Sequence, residues 1–254
     1  MADQDLIFET VSLSGEILLA SGAEISRVSE TMERIARAYG NPGLDTFILS
    51  NGVLLSTGGG NRQYRARVRH IPLGGSRLDR IDAVNQLSRE IELGMHSPAE
   101  AYQRLVEIRS MPSKPRWQQV LASGVGSGAF GYLFGGTGWD AVAAFLCGLV
   151  LYLYFLYLVR GRLSKIAMNI SGGALVTLCA LILTHLGIGT NLEMVTAGAV
   201  VPLLPGVAFT NGIRDIADED YISGSVRLLD VVLVVACLAL GVGAVMAAYT
   251  ALGV

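Results

Sequence analysis

The sequence predicts an α-helical polytopic membrane domain of about five transmembrane helices, preceded by a small cytoplasmic α+β domain with a three-stranded antiparallel sheet. Three observations predict it. Charge is concentrated at the front, where residues 1–115 hold 13 of the 19 Lys and Arg and 14 of the 21 Asp and Glu. From Trp117 onward the basic residues are Arg160, Arg162, Lys165, Arg214 and Arg227 alone, and this half consists of apolar stretches of span length. The front half instead alternates helical periodicity with short strand-like runs. Only 16% of the chain is charged, against about a quarter in soluble domains. The break falls at Met111-Pro-Ser-Lys-Pro115, giving a soluble domain over 1–112 and a membrane domain over 113–254.

In the front domain, apolar positions at helical spacing from Leu6 to Ile35 predict one helix over residues 5–39, stopped by Gly40-Asn-Pro-Gly43. Strands follow at 44–50 and 53–57, joined by Asn51-Gly52, a dipeptide suited to a two-residue hairpin. Gly58-Gly59-Gly60 is read as a turn; it lacks the lysine and hydroxyl of a phosphate loop. A third strand over 64–73 places Arg65, Arg67 and Arg69 on one face beside Arg62, read as a solvated face balanced by nearby acids. Ser76 caps a helix running to residue 93 before Gly94. Ser97-Pro98-Ala99-Glu100 then opens a helix to residue 110 with a capping serine, a proline in the first turn and an acid at the third position. His70 and His96 stand apart, no G-x-S-x-G or H-E-x-x-H occurs, and this half has no cysteine. That argues against an enzyme, although a membrane-anchored hydrolase with its chemistry in this domain is the alternative to keep.

The back half supplies spans at 117–134, 139–159, 166–186, 192–210 and 228–250, each near the ~20 residues a bilayer core requires. With the front domain in the cytoplasm, every Lys and Arg falls on one side, which predicts the N-terminus inside and the C-terminus outside. Gly124/Gly128 and Gly131/Gly135 repeat at four-residue spacing, and Gly172-Gly173 and Gly241/Gly243 recur in later spans, as close helix packing in lipid needs. The acidic N-terminus lacks the features of a signal peptide. Cys147, Cys179 and Cys237 lie within apolar stretches and read as small hydrophobes, so neither a disulfide framework nor a metal or cofactor is expected.

The fourth span carries Pro202, Pro205 and Gly206 at membrane depth. Each proline removes the amide that the carbonyl four residues earlier would bond, here those of Gly198 and Val201. In lipid a break persists only beside protein or a wet cavity, and transporters bind substrates at such breaks. The candidate substrate-binding residues are therefore Gly198, Val201, Pro202, Pro205, Gly206, Thr210, Asn211 and Arg214, with Asn169 as a neighbour from the third span. Arg214 either anchors the inner end of the span or clamps a carboxylate, with Asp215 and Asp218 able to neutralise it. Asp140 and Glu193 read as solvated acids at outer span ends.

The stretch VPLLPGVAFTNGIRDIADEDYISGSVRLLD, with Pro205-Gly206, Arg214-Asp215, Asp218 to Asp220, Ser223-Gly224 and Arg227, resembles the signature of the threonine/serine exporter family. Gly22-Ala23-Glu24 followed by Arg27-Val28 resembles the family's opening helix, so the likeness covers nearly the whole chain. It implies an inner-membrane secondary exporter of a small polar or anionic metabolite: threonine or serine, or a dicarboxylate such as succinate. It also implies similarity to the larger subunit of a split pair, working with a second membrane subunit of about five spans or by self-association. A regulatory or assembly subunit is the remaining alternative. No nucleic-acid partner is implied, and no Walker loop is present for direct use of ATP.

Overall fold

The computed structural model describes residues 3–41, 43–59, 62–72, 75–159 and 163–253. In chain order the elements are α1 (Asp3–Ala20), α2 (Ile25–Ala38), β1 (Leu44–Leu49), β2 (Gly52–Gly59), β3 (Arg62–His70), α3 (Leu78–Glu92) and α4 (Pro98–Ser110). There follow α5 (Arg116–Leu133), α6 (Gly138–Tyr154), α7 (Lys165–His185), α8 (Leu192–Val200), α9 (Gly206–Ala217) and α10 (Tyr221–Ala251). The chain forms two compact units, Met1–Pro112 with Gly206–Leu229, and Ser113–Pro205 with Asp230–Val254.

In the first unit, the stripe expected to form one helix over 5–39 forms two, α1 and α2. Gly22 takes a φ of 79°, a left-handed value that glycine adopts without steric cost. Its amide donates to Leu19 O (3.0 Å) and that of Ala23 to Leu18 O (3.1 Å), the bond pair of a Schellman ending. Periodicity hid this break because both helices press onto one core: Val11 and Leu18 from α1, Val28, Met32 and Ile35 from α2, with Leu55, Val84, Ile91 and Leu105 beyond them.

The sheet has the order β1-β2-β3 and is antiparallel throughout. Leu49 pairs with Gly52, so the hairpin turn is Ser50-Asn51, one residue earlier than expected, and neither residue has positive φ. Gly52 is drawn into the ladder because it also pairs with His70, where a Cβ would come within 3.2 Å of Arg69 O. Gly58 and Gly59 close β2 rather than making a turn, while Gly60 lies outside the described residues. On β3, Arg67 makes a bidentate pair with Glu9 and Arg69 lies 3.0 Å from Glu16, so acids of α1 balance this face. The side chains of Arg62 and Arg65 are outside the described set.

Arg77, not Ser76, occupies the N-cap position of α3 and makes no side-chain cap there. Gly94, with a φ of 75°, ends the helix region as the sequence indicates. The capping box of α4 forms as expected: Glu100 N donates to Ser97 Oγ, and Ser97 N donates to Glu100 Oε2 at 2.8 Å.

The second unit is held by small residues, with Ala143, Ala144 and Cys147 of α6 packing on Val176 and Ala180 of α7 and Val195 and Ala199 of α8. The end of α6 widens to a π-helix over Phe155–Val159. Among the described residues three helices are long and apolar enough to cross a membrane, Gly138–Val159, Lys165–His185 and Tyr221–Ala251, or four if the broken pair Leu192–Leu203 and Gly206–Ala217 counts as one span. The expected first span forms α5 but falls short of that apolarity. The connection expected over 211–227 shrinks to Asp218–Asp220: α9 runs on to Ala217, Glu219 turns the chain with a φ of 68°, and α10 begins at Tyr221. Arg160 and Arg162, which weigh in the orientation argument, are outside the described residues.

Candidate functional site

The broken span keeps its backbone bonded by tightening. Val201 N donates to Gly198 O and Leu204 N to Val201 O (3.0 Å), and Val201–Leu203 winds as a 3₁₀ turn. The two carboxyl-side carbonyls expected to be orphaned by Pro202 and Pro205 thus each take a donor three residues on in place of the missing one four residues on. The break itself falls at Leu204, with φ −70° and ψ 130°, the extended backbone imposed on a residue that precedes proline. Beyond it α9 starts at Gly206, and its first-turn amides present the positive end of the helix dipole at the break.

Upstream of the break, Gly198 sits on α5 so closely that a Cβ would lie 2.5 Å from Gly131 Cα. It is a packing position, not an open wall. Val201 lines an apolar groove of about 470 Å³ with Phe134, Thr196, Val200, Leu204 and Val242. Most hydroxyls at this depth bond their own helix, as Thr177 does to Gly173 O and Thr184 to Ala180 O. Thr196 differs: it is buried, and its Oγ1 has no hydrogen-bond partner among the described residues. Asn169 is buried on α7 and donates to Lys165 O (2.9 Å), one turn back in its own helix.

Downstream, the polar residues of α9 meet the Gly22 turn between α1 and α2. Asn211 Nδ2 donates to Gly22 O at 2.8 Å, and Arg214 pairs with Glu24 at 3.0 Å. Asp215 Oδ1 accepts from Ile25 N at 3.3 Å, while Asp215 Oδ2 lies 3.1 Å from Arg227 Nε. Arg227 also donates through Nη2 to Ala23 O (2.8 Å). The Asp215–Arg227 pair is 2% and 5% exposed, so this is a buried ion pair, with Asp215 Oδ1 and Arg227 Nη2 each also bonded to backbone. Arg214 is therefore balanced by Glu24, not by Asp215 or Asp218. Thr210 bonds Gly206 O within α9.

The nine candidate residues thus divide between the two units. Gly198, Val201, Pro202, Pro205 and Asn169 belong to the second; Gly206, Thr210, Asn211 and Arg214 belong to the first. Within the first unit the motif segments come together, since Gly22-Ala23-Glu24, Asn211, Arg214-Asp215 and Arg227 all bond across one turn. Sequence reasoning missed Glu24 and Arg227 as members of this cluster, although both stand in segments it had singled out. It also misread Asp140, which is fully buried. That carboxylate accepts from Thr137 N (2.7 Å), Thr190 N (2.6 Å) and Asn191 N (2.8 Å), tying the turn after α7 to the start of α6. Glu193 is exposed as expected. Among the described residues no group of His, Cys, Asp and Glu is placed to hold a metal ion.

The family profile described as "Putative threonine/serine exporter" matches residues 9–249. A "Threonine/serine exporter" of Corynebacterium glutamicum is 26% identical over 90% of this chain, which spans 48% of that protein's length. A "Probable succinate transporter subunit YjjP" of Klebsiella aerogenes is 27% identical over 83% of this chain and 81% of its own length. The protein of the same description from Escherichia coli K12 is 26% identical over 84% of this chain and 83% of its own. No solved structure matches.

Proposed function

The chain belongs to the threonine/serine exporter family, and on that premise we propose that it is a subunit of an inner-membrane secondary exporter of a small polar or anionic metabolite. The substrates to consider are those named for its relatives, threonine or serine and succinate. The observation that carries this reading is the interruption at Leu204-Pro205 between α8 and α9. A carboxylate at that point would meet the first-turn amides of α9, which have no partner within their own helix, and a favourable dipole. Val201, Pro202, Pro205 and Gly206 would then line the passage, with Gly198 fixing the packing of α8 and Thr210 on the inner side. Asn169 would border the break from α7. Arg214 and Asn211, bonded to the Gly22 turn, would couple the site to the soluble module.

In this reading α5 and the broken pair join the three apolar helices as five crossings. The N-terminus is inside and the C-terminus outside, as the distribution of Lys and Arg favours. The relatives named as transporter subunits support a second membrane subunit as partner. Reconstitution into proteoliposomes, with and without such a subunit and with labelled succinate, threonine and serine inside, tests the proposal. Gradient-dependent efflux of one of them is expected. Absence of efflux for all three with the partner present would overturn it.

A further inference from the structure

Apart from the break, the first unit carries a recess lined by both polar and apolar residues. It is a groove of about 470 Å³ between α2 and α3, large enough for a small metabolite. Helices packed side by side normally close their seam with apolar residues. Val28, Met32 and Ile35 of α2 and Val84 and Ile91 of α3 do so in the shared core; along the groove α2 presents Arg27, Thr31 and Arg34, about one turn apart on a single face, and α3 presents Ile81, Asn85 and Arg89 at similar spacing. Val207 and Asn211 of α9 stand at one end.

The internal bonding of this groove leaves a surplus of donors. Glu30 is shared by Arg27 (3.1 Å) and Arg34 (2.8 Å), and Glu24 is engaged by Arg214. Buried Thr31 donates to Asn85 Oδ1 at 3.4 Å, which leaves both Nδ2 donors of Asn85 without a protein partner among the described residues. Arg89 is exposed and, among the described residues, its guanidinium has neither a hydrogen bond nor an ion pair. A planar fork of donors beside a free amide matches a carboxylate. With each acid of the groove already holding an arginine, an anionic ligand fits better than a cationic one.

We propose that this groove binds a small carboxylate-bearing metabolite, with Arg89 and Asn85 holding the carboxylate. The choice of ligand rests on the exporter reading; the site rests on the groove alone. In export the groove would capture substrate on the cytoplasmic side, next to the helix that begins at the break.

The test is calorimetric titration of the purified full-length chain in detergent with succinate and, separately, with threonine. Saturable binding of either is expected, weakened at least about tenfold in Arg89→Gln, as loss of a charge-assisted hydrogen bond implies. Asn85→Leu, which keeps the volume and removes the amide, is expected to weaken it as well. Arg89 is exposed, so its replacement leaves the core intact. Absence of binding to the wild type, or unchanged affinity in both variants, would overturn the inference. Efflux that persists in proteoliposomes despite that result would strike the groove and spare the exporter reading. Groove binding without any efflux would do the reverse.

Discussion

Asp215 and Arg227 illustrate what single residues contribute here, because each is almost wholly removed from water and each is the other's charge partner. Breaking such a pair leaves one charge buried and uncompensated, at a cost of roughly 3–5 kcal/mol, whereas replacing both members with apolar residues of similar volume is often neutral. Arg227→Ala is accordingly expected to lower the melting temperature of the detergent-solubilised protein sharply, and Asp215→Leu/Arg227→Met to recover most of the loss. A double variant as unstable as the single one would show that the backbone bonds, not the charge pair, dominate. Asp140 makes the same point at the start of α6. Asp140→Ala removes the acceptor of three backbone amides at once and should destabilise by about 3 kcal/mol, read in the same melt. None of these partnerships was legible in the sequence. Arg214 and Glu24 stand 190 positions apart, and proximity in sequence pointed to the adjacent Asp215 instead.

At the scale of elements, what could be read were the signals that act within one turn of chain. The Ser97–Glu100 capping box, the glycine after α3 and the proline break all form where local chemistry puts them. The misreadings arose where tertiary packing decided between local options. The break at Gly22 preserved the apolar period, and the hairpin slipped by one residue because Gly52 was needed in the ladder beside β3. Glu100 gives a pH prediction. Hydrogen bonds from the Ser97 backbone and side chain hold its carboxyl below the ordinary carboxylate value. A depressed folded-state pKa stabilises above the unfolded value of about 4.3 and loses that stabilisation as pH falls below it. The difference in melting temperature between wild type and Glu100→Gln should therefore shrink on acidification from pH 6 to pH 3.5. A difference that stayed constant would assign the cap to the serine alone. The α5–α8 seam gives another. Gly198→Val places atoms where Gly131 backbone already lies, and overpacking of this kind costs at least 1–3 kcal/mol. The expected outcome is loss of the monodisperse peak in size-exclusion chromatography; a well-behaved variant would mean that α5 and α8 are free to separate.

At the scale of the whole molecule, the chain passes between its two units at 112–113, 205–206 and 229–230. The second passage coincides with Pro205-Gly206, so the span that carries the break gives its upstream part to one unit and its downstream part to the other. That partition was invisible to hydropathy, which carries the fourth span on to residue 210 and has no view of the bonds α9 makes with the Gly22 turn. It also sharpens the question of what Arg214 does. If the arginine clamps a substrate carboxylate, its positive charge is needed at that position. If it latches α9 to the turn, only the pairing with Glu24 matters. Arg214→Ala abolishes export under both accounts, so loss of function in that variant is expected but not diagnostic. The exchange Glu24→Arg/Arg214→Glu separates them, because it restores the pair while reversing the charge at position 214. We expect each single reversal, which sets like charges about 3 Å apart, to cut efflux at least tenfold in proteoliposomes. The exchange should recover most of it, since the Arg214 guanidinium is already engaged by a carboxylate of the chain itself. Efflux that stays absent in the exchange variant, with its melting temperature restored, would move Arg214 from the latch to the substrate.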